Sequence, residues 1–167
     1  MTKKQTRLAR VTAAVTIAAA TALVPAGVAS AAPAETPPFT GCTEGNQKAV
    51  VEALPSTAEV ANYTVTVYAK PGAAQCFLSG TPTNFAFSLN GSPRPADVQP
   101  TGEQGGVVAF GDGAPVQFDL HVPNSGGPAR ANQTTFKPIP ASDVTFTAYG
   151  PITVDAGMTA GPITTAS

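Results

Sequence analysis

The chain has 167 residues, of which only 11% are charged, with nine Lys and Arg against ten acidic residues. Four of the nine cations lie among the first ten residues (Lys3, Lys4, Arg7 and Arg10), and the other five are scattered. Beyond residue 31, five cations against ten acidic residues leave a net charge of about −5. Nucleic acids and anionic membrane surfaces require clustered cations, so both are excluded as expected partners.

The first 31 residues have the three parts of a secretory signal peptide. The basic start MTKKQTRLAR precedes an uncharged apolar run over 11–24, and the small residues VASAAPA follow. The apolar run is shorter than the ~20 residues that a bilayer requires. We therefore predict export with cleavage after Ala31, and a secreted, extracellular protein with no transmembrane segment in its mature chain. Association with the cell envelope is left open.

A Pro/Ala-rich segment over 32–41 is expected to precede the folded domain. The next segment, 42–55, has apolar spacing that suits either a short helix or a strand. Strand signals then become clear, because apolar and polar residues alternate in the segments VANYTVTVYAK, TNFAFSLN, PVQFDLHV and DVTFTAYG. Such alternation places one apolar face of each strand against a core. Shorter apolar pieces, GVVAFG and PITV, complete the set.

Joints rich in Gly, Asn and Pro separate these segments and favour turns. Short strands at this spacing predict an all-β domain over 42–157, built as a β-sandwich of two antiparallel sheets with about 7–9 strands. Phenylalanines are expected to fill its core. The small-residue segment 158–167 is expected to be a flexible C-terminal tail.

The two cysteines, Cys42 and Cys76, are expected to form a disulfide, because export places both thiols in an oxidising environment. A zinc site would need four ligands, and His121 is the sole histidine. An alternative reading treats FTGC, residues 39–42, as a lipidation box. That box lacks the adjoining apolar run, and lipidation of Cys42 would leave Cys76 unpaired.

The stretch CFLSGTP, residues 76–82, resembles the C-T-L-x-G-Y-P signature of an exported bacterial family known as domain of unknown function 4232. The downstream pieces NFAFSLNGSP and GVVAFGDGAPVQFDLHV are similar to later strands of that family. Thr81 stands where the signature has tyrosine, and the usual Asn-Thr before the cysteine is absent. The resemblance implies an immunoglobulin-like sandwich outside the cytoplasm with Cys42 bonded to Cys76, and it implies no established activity.

The residues offer little for catalysis, and we predict no catalytic residue, no cofactor and no metal. His121 and Asp119 lie two positions apart on one strand face, which separates them by about 6–7 Å. Carboxylates that could pair or bind calcium are scattered near turns and strand ends: Glu103, Asp112, Asp119, Asp143 and Asp155. Carbohydrate recognition would depend on the three tyrosines, since tryptophan is absent, and Tyr68 is expected on the solvent face.

The predicted function is a non-enzymatic, exported binding or structural module, a monomer whose partner is an unknown protein or a cell-envelope component. The alternative is a small secreted inhibitor or effector that acts on a foreign enzyme through an exposed loop. That loop would be NGSPRPADV, residues 90–98, with Arg94 as the anchoring side chain, because Arg is enriched among the residues that dominate protein interfaces.

Overall fold

The computed structural model describes residues 42, 45–139 and 143–167. The predicted signal peptide, its cleavage after Ala31 and the segment 32–41 lie outside these residues. Regular structure in the described part consists of β-strands without a helix, so the all-β class is confirmed. No helix in this part is long and apolar enough to span a membrane.

Twelve strands follow one another along the described chain. Their bounds are β1 Gln47–Leu54, β2 Val60–Ala69, β3 Cys76–Ser79, β4 Thr83–Leu89, β5 Ser92–Arg94, β6 Val98–Pro100, β7 Val107–Phe110, β8 Val116–Pro123, β9 Ala129–Lys137, β10 Phe146–Val154, β11 Met158–Ala160 and β12 Thr164–Thr165.

Ten of these strands form one large sheet with the order β5-β4-β9-β10-β1-β2-β8-β11-β6, and β12 also pairs with β8. Strands β3 and β7 form a separate two-stranded sheet. Most pairs are antiparallel, but β1 with β10 and β6 with β11 are parallel. The architecture is therefore a mixed sheet plus a small sheet, and it has more strands than the 7–9 expected.

The large sheet is curled. The evidence is that strands far apart in its order pack against each other. The ring centroids of Phe118 on β8 and Phe136 on β9 are 5.0 Å apart, although three strands lie between β8 and β9 in the sheet. Phe85 on β4 lies 6.0 Å from Phe118, and Phe136 lies 6.0 Å from Phe146. The predicted phenylalanine core is confirmed, and each such buried ring contributes about 1.5–3 kcal/mol.

The parallel pairing of β1 with β10 is short, covering Ala49 opposite Ala148 and Val50 opposite Tyr149. A register shift in β10 follows between Tyr149 and Ile152. The cause lies at Gly150, where a Cβ atom would collide with the carbonyl oxygen of Val51. Only glycine permits this close approach, and beyond it β10 no longer pairs with β1.

Strands β4 and β5 form a hairpin whose two loop residues are Asn90 and Gly91. Both have positive φ, 50° and 83°, and Leu89 pairs with Ser92 across the turn. Asn-Gly at these angles is the sequence that a type I′ hairpin requires. Side-chain bonds between Asn90 and Asn132 then attach the turn to β9.

The structure resolves one segment that the sequence left ambiguous and corrects the prediction for another. Segment 42–55, which was ambiguous, contains strand β1. Segment 158–167 was expected to be a flexible tail, and this is corrected: it forms β11 and β12. The physical reason is burial, because Met158, Ala160 and Ile163 are each at most 3% exposed.

Candidate functional site

The outward side of the large sheet carries the candidate site. Residues directly opposite each other in a sheet point to the same side. The register therefore places one row of side chains across five strands, β10, β1, β2, β8 and β12. Its members are Tyr149, Val50, Thr66, Gln117 and Thr164.

Two tyrosines on this side are well exposed to solvent, Tyr68 at 44% and Tyr149 at 61%. Tyr68 lies opposite Lys48, and Tyr149 lies opposite Val50. Strand geometry places the two tyrosine Cα atoms about 12 Å apart, with β1 between them. We call Lys48, Val50, Tyr68 and Tyr149 the tyrosine face.

A groove of about 380 Å³ adjoins the tyrosine face, where the start of β1 runs beside the first half of β10. Its lining includes Lys48, Thr147 and Tyr149 from the outward side of the sheet, together with Gly45, Gln47, Ala49 and Thr145. This volume is within the range of small-ligand sites, about 300–1,000 Å³. An aromatic ring beside several hydrogen-bonding groups is the composition expected of a binding surface.

Among the described residues, two lysines lie at this end of the sheet although the chain beyond residue 31 is acidic. The Lys48 side chain is exposed in the groove, and the ammonium group of Lys70 donates a hydrogen bond to the carbonyl oxygen of Gly45 at its rim. Asp143 lies two residues before Thr145, and its carboxylate is 3.9 Å from the Lys137 ammonium group. No carboxylate is among the described residues that line the groove.

Arg94, the predicted anchor of an interaction loop, lies in strand β5 and is half-buried. Its Nε donates to the Arg130 carbonyl oxygen and its Nη1 to the Pro93 carbonyl oxygen, both at 3.3 Å. The guanidinium group is thus held against the backbone of its own sheet. Its role in an inhibitory loop stays a prediction.

His121 lies on β8, on the same side of the sheet as the tyrosine face, and is exposed. Its Nδ1 is 2.8 Å from Oδ1 of Asn62, and the Asn62 amide Nδ2 donates to the Pro55 carbonyl oxygen at 2.9 Å. With Asn62 oriented in this way, Nδ1 of His121 must donate. An amide rather than a carboxylate therefore orients the imidazole.

In the described part of the chain, the acidic residues considered from the sequence do not form a cluster, and Asp112 and Asp155 accept hydrogen bonds. Asp112 accepts a hydrogen bond from the Gly72 amide at 2.8 Å. Asp155 accepts bonds from the side-chain hydroxyl and the amide of Ser125 at 2.7 and 3.0 Å, and from the Ala156 amide. These bonds, the hydroxyl first, lower the pKa of Asp155 below 3.8. Among the described residues no cluster of three or more His, Cys, Asp or Glu could hold a metal ion.

The predicted disulfide is confirmed: Cys42 is bonded to Cys76, with Cα atoms 5.5 Å apart. It fixes the chain just before β1 to the first residue of β3. Tyr63, the third tyrosine, is buried at 8% exposure. Its hydroxyl bonds to Thr153, so it takes no part in the exposed surface.

The sequence predicted that Tyr68 faces solvent, but it did not predict that Tyr149 and Lys48 lie on the same side of the sheet. The alternation in DVTFTAYG did contain a signal, because Phe146 and Ala148 point inward and Tyr149 must then point outward. The missing information was the parallel pairing of β1 with β10, two strands about 100 residues apart in the chain.

Comparisons with known proteins add no relative: no family model, no curated protein and no solved structure matches this chain.

Proposed function

We propose that this protein is an exported, non-enzymatic binding module that acts as a monomer outside the cell or at the cell envelope. The observation that carries the proposal is the tyrosine face, where Tyr68 and Tyr149 expose 44% and 61% of their surface on one side of a sheet. Large exposed aromatic groups gathered on one surface are typical of binding sites.

The location forms part of the proposal. The basic and apolar pattern of residues 1–31 and the disulfide between Cys42 and Cys76 support export, since disulfides persist mainly in oxidising compartments. We further propose that the curled sheet and the small sheet form an immunoglobulin-like sandwich, as the resemblance to domain of unknown function 4232 implies. The packing of Phe110 of the small sheet against Phe146 of the large sheet, with ring centroids 6.1 Å apart, supports two facing layers.

A secreted inhibitor or effector that uses Arg94 is the second proposal, and the geometry favours it less. To enter a pocket of a foreign enzyme, the guanidinium group would have to release its bonds to the Arg130 and Pro93 carbonyls. The tyrosine face needs no such rearrangement. Incubation of the exported protein with a panel of serine proteases tests this alternative, which requires inhibition that Arg94→Ala abolishes.

The binding proposal is tested by capture. The exported protein is immobilised and exposed to solubilised bacterial envelope material, in parallel with the double variant Tyr68→Ala/Tyr149→Ala. We expect wild-type protein to retain envelope material that the double variant loses. Val107→Ala is the control, because Val107 is 60% exposed but lies on the small sheet. Equal retention by wild type and the double variant would refute binding through this face.

A further inference from the structure

We propose that the groove and the tyrosine face bind a carbohydrate chain that bears carboxylate groups. This inference rests on the proposed function and names its ligand class. It starts from three observations on the described residues: an aromatic pair on a β-sheet surface, a groove with hydroxyl-bearing residues beside it, and two lysines at the groove in an acidic chain.

The aromatic pair suits sugar rings. One face of a pyranose ring presents C–H groups and its rim presents hydroxyls, while tyrosine presents an apolar ring with a polar tip. The Cα atoms of Tyr68 and Tyr149 are about 12 Å apart on one side of the sheet, a span that one linear chain of sugars can cover. Val50 and Lys48 lie between them on β1, so the path carries one apolar and one cationic side chain.

The groove supplies hydrogen-bonding groups for the hydroxyl rim. Thr147 lines the groove two residues before Tyr149 and on the same side of β10, so a hydroxyl and a phenol stand on this side of the sheet. These groups donate and accept, as sugar hydroxyls do. An apolar ligand would leave these groups without hydrogen-bond partners.

The charge distribution selects an acidic sugar over a neutral one. Lys48 stands between the two tyrosines in the sheet order, and Lys70 lies at the rim of the groove. The nearest acidic residue on the outward side of β1 is Glu52, about 13 Å along the strand from Lys48. Two lysines are too few to bind a nucleic acid backbone. Each ammonium group can, however, pair with a single carboxylate of a sugar chain.

The test titrates the exported protein with an oligogalacturonate and with a neutral galactose oligomer of equal length. Tyrosine fluorescence reports binding, because the chain has three tyrosines and no tryptophan. We expect saturable binding of the acidic oligomer, at least about tenfold tighter than the neutral one. Tyr149→Ala and Lys48→Gln should each weaken it about tenfold. The controls Val107→Ala and Arg130→Gln, at exposed positions elsewhere, should leave it unchanged.

A second arm uses the envelope material captured by the wild-type protein, before and after its carboxylates are converted to amides. Loss of capture after this treatment supports the inference. Capture that is protease-sensitive, or unchanged by amidation, overturns the inference while the proposed function survives. Equal binding of neutral and acidic oligomers, or binding of neither, also overturns it. If no envelope material is captured, the proposed function itself fails.

Discussion

The phenolic oxygen of Tyr63 lies 2.8 Å from Oγ1 of Thr153 and accepts a hydrogen bond from the Thr153 amide at 3.1 Å. Tyr63 belongs to β2 and Thr153 to the second half of β10, beyond the point where β1 stops pairing with β10. One buried hydroxyl thus connects two strands that the intervening strand no longer joins. Its position makes it a structural bond rather than a surface contact.

Replacing Tyr63 with Phe should lower the free energy of unfolding by about 1–2 kcal/mol, because it leaves the Thr153 amide without its acceptor in a partly buried site. Urea denaturation measures the change. Tyr68→Phe is the matched control, since Tyr68 is exposed, and it should change stability by less than about 0.5 kcal/mol. Equal effects of the two substitutions would contradict a structural role for the Tyr63 hydroxyl.

Gly150→Ala should be among the most damaging single substitutions in the sheet. The added Cβ would collide with the Val51 carbonyl oxygen, a backbone atom that cannot turn aside. We expect a loss of more than about 3 kcal/mol or failure to fold, measured by thermal denaturation and by the yield of folded protein. Gly127→Ala serves as the control, because nothing lies within 4 Å of a Cβ atom there. A Gly150→Ala protein as stable as this control would show that β1 and β10 are not so closely apposed.

Removal of the disulfide should lower stability without changing the strand content. The bond between Cys42 and Cys76 spans 34 residues of sequence, and chain-entropy arguments give about 4 kcal/mol for a loop of this length. Guanidinium denaturation of Cys42→Ser/Cys76→Ser measures the loss, with far-UV circular dichroism as the check on strands. A loss below about 1 kcal/mol would mean that the reduced chain is already constrained in its unfolded state.

Asp155 should contribute to stability in a pH-dependent manner. Its pKa is lowered in the folded protein, chiefly by the Ser125 hydroxyl, so its contribution is present above the unfolded value near 3.8. The contribution is lost as the pH falls through the lowered folded pKa. Wild type should therefore exceed Asp155→Asn in stability at pH 6, and the gap should close in strong acid.

The control for Asp155→Asn is Asp97→Asn, because Asp97 is an exposed acid. Its stability difference from wild type at pH 6 should be below about 0.5 kcal/mol, as is usual for surface substitutions. If the Asp155→Asn gap stayed constant from pH 6 to strong acid, the bonds to Ser125 would not depend on the carboxylate charge.

Local alternation predicted which residues point inward because each strand carries that information in itself. In β8, Val116, Phe118, Leu120 and Val122 were assigned to the core, and all four are at most 2% exposed. The pairing of strands carries no comparable local signal. The parallel contact of Ala49 with Ala148 depends on how the whole chain closes, so the mixed topology was not foreseen.

The prediction of a flexible tail over 158–167, which includes TAGPITTAS, was wrong for a related reason. The small residues and proline of this segment are typical of a tail, yet Ala160 and Ile163 are buried, and β11 lies between β8 and β6. Small side chains suit a strand that must fit between two neighbours as readily as they suit a tail. Composition alone does not distinguish the two environments.

The candidate site was predictable only in part. The outward orientation of Tyr68 followed from the pattern of β2, whereas its grouping with Tyr149 required the sheet order. Arg94 looked like a loop residue because prolines surround it. The short strand β5 and its bonds to backbone carbonyls could not be inferred from that composition.

The two terminal strands of the large sheet, β5 and β6, are consecutive in the chain and separated only by residues 95–97. β5 contains Pro93 and β6 contains Pro100. A proline has no amide hydrogen to donate to an additional strand. Neither edge strand therefore presents a full row of backbone N–H donors with which a strand of another chain could pair. At these two edges the large sheet is thus protected against the strand-by-strand addition that leads to fibrous aggregates.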